Sequence, residues 1–249
     1  MIPKVIHYCW FGNKLLDKKA IKCIESWKKF CPNYEIKEWN ESNFNINCCN
    51  YVREAYEEKK WAFVSDYARF DILYKYGGIY FDTDVELINS IEDILKAGPF
   101  MGCEQTYKGS ASVATGLGLA ATPQNPIFKE IIDNYKKSHF SLDNTVTVVT
   151  RITEILEKHG YKEGIDIQNV NGINIYPWDY FCPLNYYTGE LTITPNTRSI
   201  HHYNMSWKTE EEIKLKNIER KFRKTDSKVC FFFFRCFRFI YKKCKFKKG

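Results

Sequence analysis

Asp82 and Asp84 stand two residues apart, directly after a short apolar run, Ile79-Tyr80-Phe81. Side chains alternate along an extended backbone, so residues at i and i+2 leave it on the same side and form a two-carboxylate claw. Hard divalent cations such as Mg²⁺ and Mn²⁺ favour oxygen ligands of this kind. A cation held there bridges a diphosphate and neutralises charge as it departs. A pair of solvated aspartates in a turn is the plainer alternative. Neutral imidazole is a competent third ligand, and the chain offers His201 and His202. In an extended segment two adjacent histidines face opposite ways, so only one of them can reach the claw. Asp66 and Arg69, three residues apart, share one face if their segment is helical. As a bare surface ion pair they would contribute little.

The elements that must position these groups are legible around them. Ala68, Ile72, Leu73 and Tyr76 recur at helical spacing, with Ser65 as the expected N-cap and Asp66 in the first turn. Gly77-Gly78 stops the helix, and residues 79–81 read as a buried strand. Upstream, residues 3–10 read as an opening buried strand ending at Trp10-Phe11-Gly12. Residues 17–30 read as an amphipathic helix with Ile21, Ile24 and Trp27 on one side, and residues 34–39 as a second strand. This β-α-β unit points to a parallel sheet and an α/β fold. The carboxyl end of an early strand is where a nucleotide tends to sit, so Trp10 is a candidate for stacking on a base; a core role is its common alternative. His7 reads as a satisfied core histidine.

The stretch S-D-Y-A-R-F-D-I-L-Y-K-Y-G-G-I-Y-F-D-T-D-V, residues 65–85, resembles the central motif of the glycosyltransferases with a DXD sugar-binding region. That group includes initiating mannosyltransferases, bacterial capsular polysaccharide transferases and, more distantly, the glucosyltransferase domains of clostridial toxins. The opening I-P-K-V-I-H-Y-C-W-F-G and the closing H-H-x-x-x-S-W are similar to segments of the same family. The resemblance implies a GT-A type, Rossmann-like nucleotide-sugar-binding fold, a nucleotide-sugar donor, Mn²⁺ or Mg²⁺ as cofactor, and retention of anomeric configuration. It implies Trp10 on the base, Asp66 and Arg69 on the sugar, Asp82 and Asp84 on the metal, and Trp207 near the diphosphate. His202, five residues before Trp207, is chosen on this ground as the third metal ligand.

Later segments read as strands over residues 85–88, 100–103, 165–170 and 173–176, and residues 191–200 lead into the two histidines. Helices are expected over 90–96, 126–139, 147–159 and 209–224, the last opened by Thr209 and Glu212 as a capping box. Thr115-Gly116-Leu117-Gly118 lacks the full phosphate-loop pattern and reads as close backbone approach beneath the donor, or a bulge. The aromatic segment 177–187 either borders an acceptor cleft or packs in the core. Asn171-Gly172 signals a hairpin turn.

The 249 residues fit one α/β domain, expected over 1–225 and followed by a tail at 226–249. The net charge of +7 is unevenly spread: residues 220–249 hold 12 Lys or Arg against one acidic residue, leaving −4 on residues 1–219. A nucleic-acid role for the body is excluded on this balance. The tail, with Phe231-Phe-Phe-Phe234 and a run of lysines, is interrupted by Arg235 and Arg238 and suits an anionic membrane surface better than a spanning helix. Ten cysteines without a leader sequence or C-x-x-C pair read as free thiols in a reducing compartment. The expectation is a cytoplasmic enzyme, peripheral on the inner membrane face. It moves a hexose, from a UDP-sugar by preference, to a glycan or lipid-linked acceptor in surface polysaccharide (capsule) synthesis. Two other classes compete: an Mg²⁺-dependent phosphohydrolase with Asp82 as nucleophile, and a non-catalytic sugar-binding protein.

Overall fold

The computed structural model describes residues 1–106, 111–204 and 210–224. Elements run β1 (Val5–Cys9), α1 (Lys18–Phe30), β2 (Glu35–Trp39), α2 (Asn50–Glu57), α3 (Trp61–Tyr76) and β3 (Gly78–Tyr80). They continue with β4 (Val85–Leu87), α4 (Glu92–Ala97), β5 (Phe100–Gln105), β6 (Ala111–Val113), β7 (Leu119–Ala121), α5 (Pro126–Lys136) and α6 (Val148–Lys158). Then follow β8 (Gln168–Val170), β9 (Ile173–Tyr176), α7 (Trp178–Phe181), β10 (Ser199–His201) and α8 (Glu210–Lys224). The expected capping box at Thr209, and the tail at 226–249, lie outside the described residues.

β1, α1 and β2 form the expected parallel unit, in register from Val5 opposite Glu35 to Cys9 opposite Trp39. α1 starts where Asp17 caps it, accepting from the amides of Lys19 and Ala20 at 2.9 and 2.8 Å. Its buried stripe is Ala20, Cys23, Ile24 and Trp27, whereas Ile21 is exposed. The Trp27 indole donates to Val85 O at 2.7 Å, fastening α1 to β4.

α3 begins one turn earlier than the sequence suggested. Ser65 therefore caps nothing; its hydroxyl donates back to Trp61 O at 3.1 Å. Every residue from Val64 to Leu73 is buried, because the helix lies between the sheet and helices α2 and α5. That position takes Asp66 and Arg69 off the surface. At its end Gly77 (φ +64°) and Gly78 (φ +99°) adopt the left-handed region, and a Cβ on Gly78 would come within 2.7 Å of Val5 O. The glycine pair lets a buried helix turn directly into β3 beside β1.

The main sheet runs β2-β1-β3-β7-β5-β9-β8, with β6 on β5. Pairs β1·β2, β1·β3 and β5·β9 are parallel, whereas β7 is antiparallel to both neighbours and β8·β9 is a hairpin through Asn171 and Gly172, both at positive φ. The parallel pairing expected from the first β-α-β unit holds across β2, β1 and β3, and β7 adds an antiparallel strand in the middle of the sheet. β7 enters from the turn at residues 115–118 rather than from a crossover helix, so it inserts in the opposite direction. Apolar clusters cover both sheet faces, one around Tyr67, Phe70, Tyr80 and Phe128, the other around Trp27, Ile79, Phe81 and Phe181. The α/β class holds. A separate two-stranded sheet pairs β10 with β4, setting His201 opposite Val85.

Candidate active site

Beyond β3 the chain keeps alternating. Phe81 turns into the α1-side core, and Asp82 emerges on the side of Tyr80 and α3. The Asp82 amide donates to Gly116 O at 3.0 Å, and a Cβ on Gly116 would lie 2.0 Å from Asp82 Oδ2. Residues 115–118 are therefore a close backbone approach, and Asp82 itself is what the glycine admits. Asp82 Oδ1 accepts from Tyr80 Oη at 3.0 Å and from Arg69 Nη2 at 3.2 Å. The same Arg69 nitrogen lies 2.9 Å from Asp66 Oδ1; Nε donates to Ser65 O at 3.1 Å, and the guanidinium lies over the Tyr80 ring. Arg69 is 2% exposed, so it is a buried cation shared by two carboxylates rather than a surface partner. Burial works against its charge, but Asp82, Tyr80 and Asp66 hold its proton more tightly than usual. Burial also raises the Asp66 carboxyl to about 7, because one shared guanidinium offsets only part of the desolvation.

Asp84, two residues on, faces the end of β10. His201 Nε2 is 3.1 Å from Asp84 Oδ1, the Asn204 amide donates to Asp84 Oδ2 at 2.9 Å, and the His202 amide donates to Asp84 O at 2.9 Å. Donor atoms of Asp82, Asp84 and His201 all lie within 4.8 Å of one another. Two carboxylates and an imidazole suit a hard or borderline divalent cation, and the 30% exposure of the Asp82 side chain leaves room for ligands from outside the protein. Burial pushes the Asp84 carboxyl up, but the charge and hydrogen bond of His201, with the Asn204 amide, hold it down at about 2. Burial lowers the affinity of His201 for a proton, yet Asp84 outweighs it and raises its pKa well above the ordinary histidine value.

The choice of His202 is corrected by this geometry. Its ring points the opposite way along the strand, to Glu86 Oε2 at 2.7 Å, a carboxylate also paired with Lys22 at 3.3 Å. His201 ends β10 and His202 follows it in extended backbone, so the two adjacent side chains cannot both face Asp84.

Asp66, Arg69, Asp82 and Asp84 are brought together; Trp10 stands apart at the end of β1. Its amide donates to Trp39 O at 2.8 Å and its indole to Lys14 O at 2.6 Å, leaving the ring half-buried. His7 is the core histidine expected: Trp39 Nε1 donates to its Nδ1 at 3.1 Å and its Nε2 donates to Gly77 O at 3.0 Å. Trp207 lies outside the described residues. In the aromatic segment Phe181 stacks on Phe100 in the core, whereas Tyr186 reaches Tyr203 beside His201. Tyr80, Glu104, Tyr203 and Thr115, whose hydroxyl accepts from Arg69 Nη1 at 3.4 Å, were not anticipated. Tyr80 had a signal, since it alternates with Asp82; the others are placed by contacts far apart in sequence.

Residues 17–101 match the family described as glycosyltransferase sugar-binding region containing DXD motif. The match takes in Asp66, Arg69, Asp82 and Asp84 and stops short of His201. The chain is 26% identical over 194 residues to an uncharacterized glycosyltransferase of Acanthamoeba polyphaga mimivirus, covering 75% of each chain. It is 31% identical over 98 residues to inositol phosphoceramide mannosyltransferase 3 of Schizosaccharomyces pombe, covering 38% of this chain and 27% of that protein. Among solved structures, PaToxG glycosyltransferase aligns at a TM-score of 0.48 and 20% identity, over 63% of this chain and 69% of the other.

Proposed function

We propose that the chain is a glycosyltransferase of the DXD family, whose sugar-binding region residues 17–101 match, and that it moves a hexose from a nucleotide-sugar donor, a UDP-sugar by preference, to a glycan or lipid-linked acceptor. The reading extends to a GT-A type fold, retention of anomeric configuration, and a place in surface polysaccharide synthesis. The observation that carries it is the meeting of Asp82, Asp84 and His201 beside the buried Asp66–Arg69 pair. Those three residues would hold Mn²⁺ or Mg²⁺, which when bound supplies positive charge to a departing nucleoside diphosphate. Arg69 holds Asp82 in place with one nitrogen and presents Asp66 at the floor of the site. Both are suited to gripping sugar hydroxyls by charge-assisted hydrogen bonds. Trp10, half-buried at the carboxyl end of β1, is the surface on which the base stacks, and Trp207 is assigned to the diphosphate. A lipid-linked acceptor draws support from the yeast relative, whose name is that of a mannosyltransferase for inositol phosphoceramide, and from the basic aromatic tail. The basic aromatic tail supports a peripheral position, which we assign to the inner, cytoplasmic face of the membrane.

The test is nucleoside diphosphate release from a panel of UDP- and GDP-sugars with Mn²⁺, for the parent and Asp84→Ala. Release from one donor, lost by about a hundredfold or more in the variant, is expected. Release unaffected by Asp84→Ala or by chelation would remove the metal reading, and phosphate release from phosphomonoesters alone would overturn the transferase.

A further inference from the structure

A ligating histidine ordinarily gives its second ring N–H to a carboxylate or carbonyl, which fixes the ring's orientation. Among the described residues His201 lacks that device: its Nδ1 is buried with no nitrogen or oxygen partner, and the Cys182 thiol faces the ring. The Tyr203 ring also lies against it, with ring centroids 4.2 Å apart. Tyr203 is itself held in an unusual way. Its φ is +51°, a left-handed conformation that aromatic residues rarely adopt, so surrounding contacts must offset its cost. The turn it makes brings the Asn204 amide onto Asp84 Oδ2 at 2.9 Å. Its hydroxyl donates to Glu104 Oε2 at 3.0 Å and lies 3.0 Å from the Cys182 thiol. Glu104 belongs to β5 of the main sheet, whereas His201 ends β10 of the small one. The Tyr203 side chain thus ties the two sheets at the point where the third ligand enters.

We propose that Tyr203, pinned by Glu104 and Cys182, is the positioning residue that aims His201 Nε2 at the Asp82–Asp84 pair and sets the site's affinity for a divalent cation. The proposal rests on the metal-site reading above. It assigns Glu104 to the orientation of His201 through Tyr203, with no contact to a reacting atom required.

The experiment is Mn²⁺ binding to the full chain without donor, read as loss of the free-ion signal in electron paramagnetic resonance, alongside urea unfolding of the metal-free protein. Tyr203→Phe keeps the ring and removes only the hydroxyl. It is expected to weaken Mn²⁺ binding about tenfold, the lower end of what outer-shell partners of metal ligands contribute. Glu104→Ala should weaken it similarly, and Glu104→Gln, which keeps an acceptor oxygen, should recover part of the loss. Because hydroxyl and carboxylate act through one contact, Tyr203→Phe combined with Glu104→Ala should cost little more than either alone. Unchanged Mn²⁺ affinity in Tyr203→Phe, with or without a lower unfolding midpoint, would overturn the proposal and leave Tyr203 a packing residue. A parent chain that takes up no Mn²⁺ would overturn the metal-site reading and this inference together.

Discussion

At the scale of single residues, His201 and His202 differ in one respect that matters: which way each side chain points at the end of β10. His201 meets Asp84 and His202 meets Glu86. His201→Ala is therefore expected to weaken Mn²⁺ binding by about a hundredfold or more, and His202→Ala by less than about twofold. Isothermal titration with Mn²⁺ reads both; equal losses would mean that neither ring is singled out by the claw. In the proposed metal site the proton and the cation would compete for the same His201 nitrogen. Asp84 raises the pKa of His201, whereas Asp84 itself, held at about 2, stays ionised at every working pH. Apparent Mn²⁺ affinity should accordingly climb with pH, by up to about tenfold per unit, until the ring has lost its proton. A flat profile between pH 6 and 8 in the parent would argue against an imidazole ligand.

At the scale of elements, the site depends on a junction of β1, β2 and α3. His7 on β1 accepts from Trp39 on β2 and donates to the carbonyl of Gly77, where α3 ends. Burial lowers the His7 pKa to about 4, against the opposing hydrogen bond to Gly77. The native state thus needs the neutral ring. The unfolded chain takes up a proton near 6.5 and the folded one near 4, so this stabilisation is complete above pH 6.5 and is lost as pH falls through that window. By pH 5 the loss amounts to about 2 kcal/mol. Urea midpoints for parent and His7→Gln should diverge at pH 7.5 and converge toward pH 5; parallel curves would show that His7 carries no proton linkage. Gly116 does for Asp82 what Gly77 and Gly78 do for β3: each removes a Cβ whose space a neighbouring segment occupies.

At the scale of the whole molecule, charge is segregated. Residues 1–219 carry −4 and residues 220–249 a surplus of 11 positive charges. An acidic body with a basic, phenylalanine-rich end suits a surface of anionic lipid, where each lysine contributes about 1 kcal/mol. Replacing Lys242, Lys243, Lys245, Lys247 and Lys248 by Gln should reduce co-sedimentation with phosphatidylserine vesicles by tenfold or more. It should also flatten the dependence on salt. Binding to neutral vesicles as strong as to anionic ones, or binding untouched by the five replacements, would remove the electrostatic reading. Among the described residues no helix is long and apolar enough to cross a membrane.

The sequence by itself determined what nearest-neighbour geometry controls. Asp82 and Asp84 share a side because strand side chains alternate; Asp66 and Arg69 pair because a helix turns every 3.6 residues; α3 stops where two glycines open the left-handed region. Each of these rules spans a few residues and was legible in residues 65–84. Tertiary structure decided the rest. The register of β10 on β4 selected His201 over His202, across more than a hundred residues that no local pattern bridges. The layer of α2 and α5 over α3 turned a surface ion pair into a buried one and raised Asp66, because desolvation depends on everything that surrounds a charge. The antiparallel entry of β7 brought Gly116 under Asp82. Local preference fixes which groups can act; only the packing of distant segments fixes which of them meet and in what dielectric.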